Sequence, residues 1–209
     1  MSHELLVRDA TIMLVTGDEA RDAEVPRDDM ADPVLVRRVL DGDGRAFTAL
    51  VDRHAAACLR FATRMLGSRE DAEDATQEAL LRAYRALGTY DERTAFRTWL
   101  FAILVNRCRT MLLRRARRER RVLTDDEAVD RAAASSEARS TELREELSSA
   151  LERLDGDQRE AFLLKHVEQL DYEEMAAVTG TSISALKMRV KRACARLQDL
   201  LREDSDVRP

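Results

Sequence analysis

Two stretches of this chain carry side chains able to grip a polyanion. The first, NRCRTMLLRRARRER at 106–120, sets Arg107, Arg109, Arg114, Arg115, Arg117 and Arg118 behind the polar Asn106. The second, SALKMRVKRACARL at 184–197, holds Lys187, Arg189, Lys191 and Arg192 close together. Cationic groups at this density pair with phosphates and set up a local positive field. Bond-making chemistry has no comparable signature. The three histidines, His3, His54 and His166, are scattered, and no nucleophile, phosphate-binding glycine loop or metal-ligand spacing accompanies them. Cys58, Cys108 and Cys194 are far apart and form no CxxC pair, so neither a disulfide framework nor a zinc site is expected. Each cysteine is expected as a small core or surface side chain, a regulatory thiol being the alternative. No metal, cofactor or enzymatic activity is expected.

The arginine-rich stretch admits three explanations: a solvated charge run, a membrane-surface helix, or a nucleic-acid face. A membrane-surface helix needs an apolar side of its own, and here Leu100, Ile103, Leu104, Cys108, Met111 and Leu112 assign that side to a core. Upstream lie Tyr84, Tyr90, Phe96 and Trp99. Aromatic rings beside arginines hold unpaired bases and their phosphates together, which favours the nucleic-acid face. Trp99 at helical spacing from Phe96 and Ile103 is more often a core residue than a stacking platform, and that alternative stays open.

The second stretch closes YEEMAAVTGTSISALKMRVKRACARL, 172–197, which has the form of a helix-turn-helix. Ala176 suits a close helix crossing, and Gly180 can take the left-handed conformation of a tight turn. Ser182 can cap the second helix, whose Leu186, Val190, Ala193 and Leu197 point inward. Ser184, Ala185 and Met188 are then expected near base edges, with Lys187, Arg189, Lys191 and Arg192 mostly on phosphates. Thr181 stands where the turn usually has an apolar residue.

The elements that must position these groups are helices. Only 3 prolines and 7 glycines interrupt 209 residues, 44% of them hydrophobic, and helix-forming types fill the stretches between. The expected architecture is all-α, two small helical domains joined by a flexible acidic linker. An acidic extension covers 1–31, a first domain 32–121, the linker 122–141, the helix-turn-helix domain 142–202, and a tail 203–209. Within the first domain Val36, Val39 and Leu40 form a short apolar face, and a long helix then runs to Leu66 and ends at Gly67. Ser68 caps the next helix, which packs through Ala72, Ala75, Ala79, Ala83 and Leu87 and shows Asp71, Asp74, Gln77 and Glu78 on its other side. In the second domain Leu143, Leu147, Ala150, Leu151 and Leu154 mark one helix and Gln158 to Leu170 another. The formal charge of −5 does not oppose a nucleic-acid partner, because residues 1–30 hold eight acidic side chains against three arginines and the rest is neutral. With no signal peptide and no apolar run of membrane-spanning length, a cytoplasmic location is expected.

The chain resembles the extracytoplasmic-function (ECF) sigma factors, the small two-domain group of the sigma-70 class. The resemblance rests on EDAEDATQEALLRAYRAL (70–87), FRTWLFAILVNRCRTMLLRR (96–115), ALERLDGDQREAFLLKHVEQLDYEEMAAVTG (150–180) and SALKMRVKRA (184–193), in that order. It implies a bacterial transcription initiation factor that binds core RNA polymerase. Asp71, Asp74, Gln77, Glu78 and Leu81 would lie at the surface docking on the β′ clamp helices. Tyr90, Trp99, Asn106, Arg107, Arg109, Arg114 and Arg115 would engage the single-stranded −10 element. Ser182, Ser184, Ala185, Lys187, Met188, Arg189, Lys191 and Arg192 would read the −35 element, in a domain that also meets the β flap. An anti-sigma factor is the further partner the resemblance implies.

Three features depart from the family pattern. Gly156-Asp157 replaces a proline-containing turn, Ala185 and Met188 stand where small hydroxyl residues are frequent, and the acidic extension is long. The main competing reading is a two-domain helix-turn-helix regulator that binds duplex DNA without polymerase. It leaves the acidic face at 71–78 and the arginine–aromatic stretch without a task.

Overall fold

The computed structural model describes residues 30–122 and 147–206, with side chains through Arg118 in the first stretch and Arg202 in the second. The expected extension up to Asp29, the linker with Leu143, and the end of the tail lie outside the described residues. Every regular element among the described residues is helical. The chain divides into two compact units: residues 30–63 and 68–107 with 177–179, and residues 64–67, 108–122, 147–176 and 180–206.

In the first unit, α1 (Asp32–Leu40) begins with Asp32 in its first turn, where the carboxylate meets the positive end of the helix, and Pro33, whose missing N–H costs nothing there. Leu35 and Val36 are its buried residues. Leu40, expected on the apolar face, is instead 55% exposed. It is the last residue of a nine-residue helix, and the chain turns away at Asp41 and at Gly42, whose φ is +99°. Helix α2 (Gly44–Leu66) buries Phe47, Leu50, Val51, Cys58, Phe61, Ala62 and Met65, one stripe at spacings of three and four. Gly67 (φ +70°) stops it.

Ser68 caps α3 (Arg69–Ala86), its side chain accepting from the Asp71 amide. Ala72, Ala75, Ala79 and Ala83 are fully buried, so the packed face of α3 is a stripe of methyl groups that lets neighbours approach closely. A short 3₁₀ turn, Leu87–Thr89, leads to α4 (Phe96–Val122). Phe96, Leu100, Phe101, Leu104, Val105 and Cys108 are buried along it. Trp99, Ile103, Met111 and Leu112 are only half-buried, so the expected stripe is rotated towards Phe101 and Val105. Phe101 meets Phe61 edge-on at 5.6 Å.

The second unit takes in the end of α2, α4 from Cys108 onward, and the C-terminal helices. Among the described residues, 147–152 belong to a helix, α5. Leu147, expected in its core face, is 38% exposed, whereas Ala150, Leu151 and Leu154 are buried. Arg159 of α6 (Gly156–Phe162) satisfies the carbonyls at the end of α5. Its guanidinium donates to Leu151 O at 2.7 Å, and to Glu152 O and Leu154 O, and it also reaches Met65 O at 3.0 Å. Burial holds this guanidinium below its ordinary value.

The helix expected from Gln158 to Leu170 starts earlier and ends differently. Asp155 caps α6 by accepting from the Asp157 amide. A π turn, Leu163–Val167, follows, with Glu168 N donating to Leu163 O at 2.9 Å. Gln169, at φ +56°, then reverses the chain. Helix α7 (Tyr172–Thr179) opens with a reciprocal capping box between Asp171 and Glu174 and closes on Gly180 at φ +66°. Helix α8 (Ile183–Asp206) follows and buries Leu186, Val190, Ala193, Leu197 and Leu200.

Candidate nucleic-acid interface

The N-terminal half of α8 carries the expected duplex-reading residues. Two turns of a helix present a continuous outer face, and the buried Leu186 and Val190 fix which face that is. Ser182, Ser184, Lys187, Met188, Lys191 and Arg192 are exposed, and Ala185 is half-buried. Met188, an apolar side chain 47% exposed among cations, stands where a base edge or methyl group could be met. Ser182 Oγ accepts from the Ala185 amide at a long 3.4 Å and lies 3.3 Å from Ser184 Oγ. Arg189 is different from its neighbours. It is half-buried and pairs with Asp157 at 2.5 Å. Lys187 lies over the Tyr172 ring at 5.4 Å, and Lys165 lies over the same ring at 4.9 Å.

In the first unit the aromatic residues do cluster. Tyr90 contacts Trp99 at 5.4 Å and Phe96 at 5.6 Å, and Phe96 contacts Trp99 at 5.6 Å. Phe96 is the buried floor, while Tyr90 and Trp99 keep half-open faces. Trp99 thus combines both readings of its position, packed on one side and accessible on the other. The Tyr90 hydroxyl donates to Thr94 O at 2.7 Å, which fixes the loop. Burial and the nearby Asp32, Glu92 and Asp91 push this phenol up from its ordinary value. Behind Phe96, the His54 ring lies tilted against it at 5.4 Å, and its Nε2 bonds Asp32 at 2.9 Å. Tyr84, which the sequence groups with these rings, packs instead on Phe47 at 4.9 Å.

The arginines of α4 divide. Asn106 is exposed and Arg107 half-buried, with its Nε buried and without a hydrogen-bond partner among the described residues. In the second unit Arg114, Arg117 and Arg118 are exposed. Arg109 makes a two-pronged bond to Glu160, Nε to Oε2 and Nη2 to Oε1, both at 2.7 Å. The Glu160 side chain is 2% exposed and that of Arg109 30%. The Glu160 bond holds the Arg109 guanidinium above its ordinary value, against the opposing effect of burial. Arg115 reaches Leu66 O at 3.5 Å. Sequence reasoning missed the Glu160 and Asp157 pairings, because partners 51 and 32 positions away leave no local pattern.

On the outer side of α3, Asp74 is exposed and Asp71, Gln77, Glu78 and Leu81 half-buried. Glu78 accepts from Arg82 at 2.7 Å. That hydrogen bond holds the Glu78 carboxyl below its usual range, with Arg107 and Arg85 adding to the effect. The surface is therefore mixed in charge. Among the described residues no group of His, Cys, Asp and Glu could hold a metal ion, and no helix is long and apolar enough to cross a membrane.

Comparison with known proteins places the chain in a family. The pattern described as sigma-70 region 2 matches residues 50–118, and that described as sigma-70 region 4 matches residues 144–197. The RNA polymerase sigma-H factor of Pseudomonas aeruginosa is 35% identical over 191 residues, 82% of this chain and 96% of that protein. The chain belongs to the ECF group of the sigma-70 family. The ECF RNA polymerase sigma-E factor of Escherichia coli strain K12 is 34% identical over 176 residues, 78% of this chain and 91% of its own. Among solved structures, CnrH in complex with the cytosolic domain of CnrY is similar at a TM-score of 0.63. It is 30% identical, with 84% of this chain and 99% of that chain covered. The sigma factor RpoE with the anti-sigma factor NepR from Bartonella quintana gives 0.62 at 29% identity, covering 75% and 96%. The ECF sigma factor described here is thus a transcription initiation subunit, not an enzyme, and its α7–α8 pair is the family's helix-turn-helix.

Proposed function

We propose that this sigma factor recognises promoters with two separate surfaces and docks on polymerase with a third. The exposed face of α8, with Ser182, Ser184, Ala185, Lys187, Met188, Lys191 and Arg192, enters the major groove of the −35 element, and Arg189 joins it at the rim. Tyr90, Trp99, Asn106, Arg107, Arg109, Arg114 and Arg115 hold the unpaired −10 strand. Asp71, Asp74, Gln77, Glu78 and Leu81 meet the β′ clamp helices, and the helix-turn-helix domain meets the β flap.

The observation that carries this assignment is the α8 face. Its buried stripe forces a run of exposed polar and cationic residues outward directly after the Gly180 turn. For the −10 strand, the half-open Tyr90–Trp99 surface offers a stacking platform, and the Arg107 Nε is a buried donor that a phosphate would satisfy. Polymerase performs the bond formation; this subunit selects the start site and stabilises the opened strand. Unstacking a base costs a few kcal/mol, recovered from stacking and phosphate contacts. Two DNA-binding units on one polymerase surface raise each other's effective concentration at a promoter. It acts where polymerase and chromosome are, in the cytoplasm. An anti-sigma factor is a further partner; in support, the relative RpoE was co-crystallised with the anti-sigma factor NepR, and CnrH was solved in complex with the cytosolic domain of another protein, CnrY.

Reconstituted transcription with core polymerase tests the proposal. We expect initiation that depends on this chain and on both promoter elements, and weak duplex binding by the chain alone. Neutralising Arg107, Arg109 and Arg115 together is expected to abolish promoter opening, read with a fluorescent base analogue at −10. Unchanged opening would refute the −10 assignment. Tight specific duplex binding without polymerase would instead favour a simple helix-turn-helix regulator.

A further inference from the structure

The outward face of α8 is more particular than its basic character. Met188 lies about 160° of helix rotation from both Leu186 and Val190, the buried residues on either side of it. It therefore stands at the crest of the exposed face, with 47% of its surface open. Ser184 and Ala185 lie one turn before it, and Lys191 and Arg192 one turn after. A single exposed apolar residue is ordinary on a protein surface. What singles out Met188 is the set of side chains around it. Base edges are told apart by paired hydrogen bonds from arginine or lysine to guanine, from asparagine or glutamine to adenine, and from cytosine to a carboxylate. Residues 182–190 contain no asparagine, glutamine or carboxylate. Their one arginine, Arg189, is half-buried and paired with Asp157, and Lys187 lies over the Tyr172 ring. Farther along, Cys194 also turns to another element, its Sγ 3.6 Å from His166 Nε2. The Ser182 hydroxyl accepts from the Ala185 amide and lies 3.3 Å from Ser184 Oγ.

The first two turns of α8 thus offer a base edge the methyl group of Ala185 and the thioether of Met188, neighbours three residues apart on the helix surface. In unmodified DNA the major groove presents one apolar group to such a pair, the C5 methyl of thymine. We infer that Met188, with Ala185 beside it, gives this sigma factor a requirement for thymine at one fixed position of its −35 element, read through the methyl group. That requirement presupposes the −35 reading proposed above and adds the chemical group that is read. The methionine side chain suits the task, because an unbranched, polarisable thioether follows the contour of a base step in several low-energy rotamers. Lys191 and Arg192 hold phosphates one turn on and keep the thioether against the base. The methyl contact is hydrophobic and insensitive to salt, whereas the phosphate contacts weaken as salt rises.

The test uses holoenzyme assembled from the full chain and core polymerase, offered a pool of promoter duplexes randomised across the −35 region. Sequencing the bound fraction should show thymine at one position of one strand. Deoxyuridine placed there removes the methyl alone and should weaken binding about fourfold, the effect of withdrawing one buried methyl group. Met188→Ala should lose about as much on the thymine duplex and no longer distinguish thymine from deoxyuridine, so the two changes do not add. Met188→Leu keeps an apolar side chain and should keep most of the preference. Both variants alter an exposed position, so their thermal midpoints should match the parent and exclude a folding defect. The thymine-to-deoxyuridine ratio should hold steady across a salt series while overall affinity falls. Equal binding of thymine and deoxyuridine duplexes at every selected position overturns the methyl readout, and so does an undiminished ratio in Met188→Ala. Parent holoenzyme that enriches no −35 sequence at all strikes the −35 reading itself; enrichment without dependence on the methyl strikes only the role of Met188.

Discussion

The two basic surfaces of this chain are built by opposite means. On α8 the cations lie on a face fixed by local devices: a capping box, a left-handed glycine and a buried stripe, all within 171–197. On α4 the equivalent density of arginine is partly engaged by the fold, since Arg109 is held by a buried carboxylate from a distant helix and Arg115 reaches a backbone carbonyl. A row of arginines in a sequence is therefore not yet a surface. The number available to a phosphate is set by which of them tertiary structure recruits, and that differs between two runs that look alike in composition.

The largest effect should come from the side where the cations stand open. Replacing Lys187, Lys191 and Arg192 together by alanine removes three exposed charges without touching the core. The salt dependence of −35 duplex binding should fall by roughly three units of log–log slope, and affinity near 0.15 M salt by about two orders of magnitude. A titration series in salt measures both. Should the slope stay as it was, the open face of α8 is not where phosphates bind, and the contrast with α4 loses its meaning.

On the engaged side the loss should appear in stability first. Arg109→Ala would strand the Glu160 carboxylate, which is almost fully enclosed. Breaking such a pair by removing one partner costs about 3–5 kcal/mol when both are buried. Arg109 keeps part of its surface in water, so about 2–3 kcal/mol is expected from urea unfolding. Arg114→Ala, on an exposed residue of the same helix, should stay within about 0.5 kcal/mol. Equal costs for the two would mean that the Glu160 bond does not distinguish them.

That division also marks what could be read from the sequence. Helical periodicity located α2, α3, α4 and α8, and the alanine stripe of α3 and the inward set of α8 fell where their spacing put them. Leu40 was misplaced because it stands at the outer end of a short helix, where the stripe no longer faces a neighbour. The π turn was illegible. It depends on Glu168 closing on Leu163 and on Gln169 entering the left-handed region, and neither residue type announces this. In the candidate site, exposure on α8 was readable from periodicity alone. The pairings of Arg109, Arg189 and Cys194 were not, because each needs a residue from another helix.

Gly180 tests how far the α8 face depends on its local devices. Its φ of +66° penalises any side chain, while an added Cβ would meet nothing within 4 Å. Gly180→Ala should therefore cost backbone strain only, about 1 kcal/mol in urea unfolding. The recognition face should persist, with −35 affinity nearly unchanged once the protein is folded. A large affinity loss at full folding would show that the turn sets the angle of α8 and not merely its stability.

The smallest expected effect concerns the other surface and its aromatic end. Phe96 packs on His54, and His54 bonds Asp32, which also pairs with Arg53. Burial pushes the Asp32 carboxyl up, but the His54 and Arg53 contacts outweigh it and hold it below its ordinary 3.8. A carboxyl depressed in the folded state contributes its stability in full above the ordinary value, and loses it as pH falls through the lower native one. Acidification below about 3.8 should therefore loosen the support behind Phe96. Trp99 is the single tryptophan of the chain and lies against Phe96 and Tyr90, so its emission reports on that cluster directly. In Asp32→Asn the acid-dependent part of the emission change should vanish while the overall fold is kept, because the amide still offers His54 an acceptor. An unaltered acid transition in that variant would place the pH sensitivity of the aromatic cluster outside the contacts of α1.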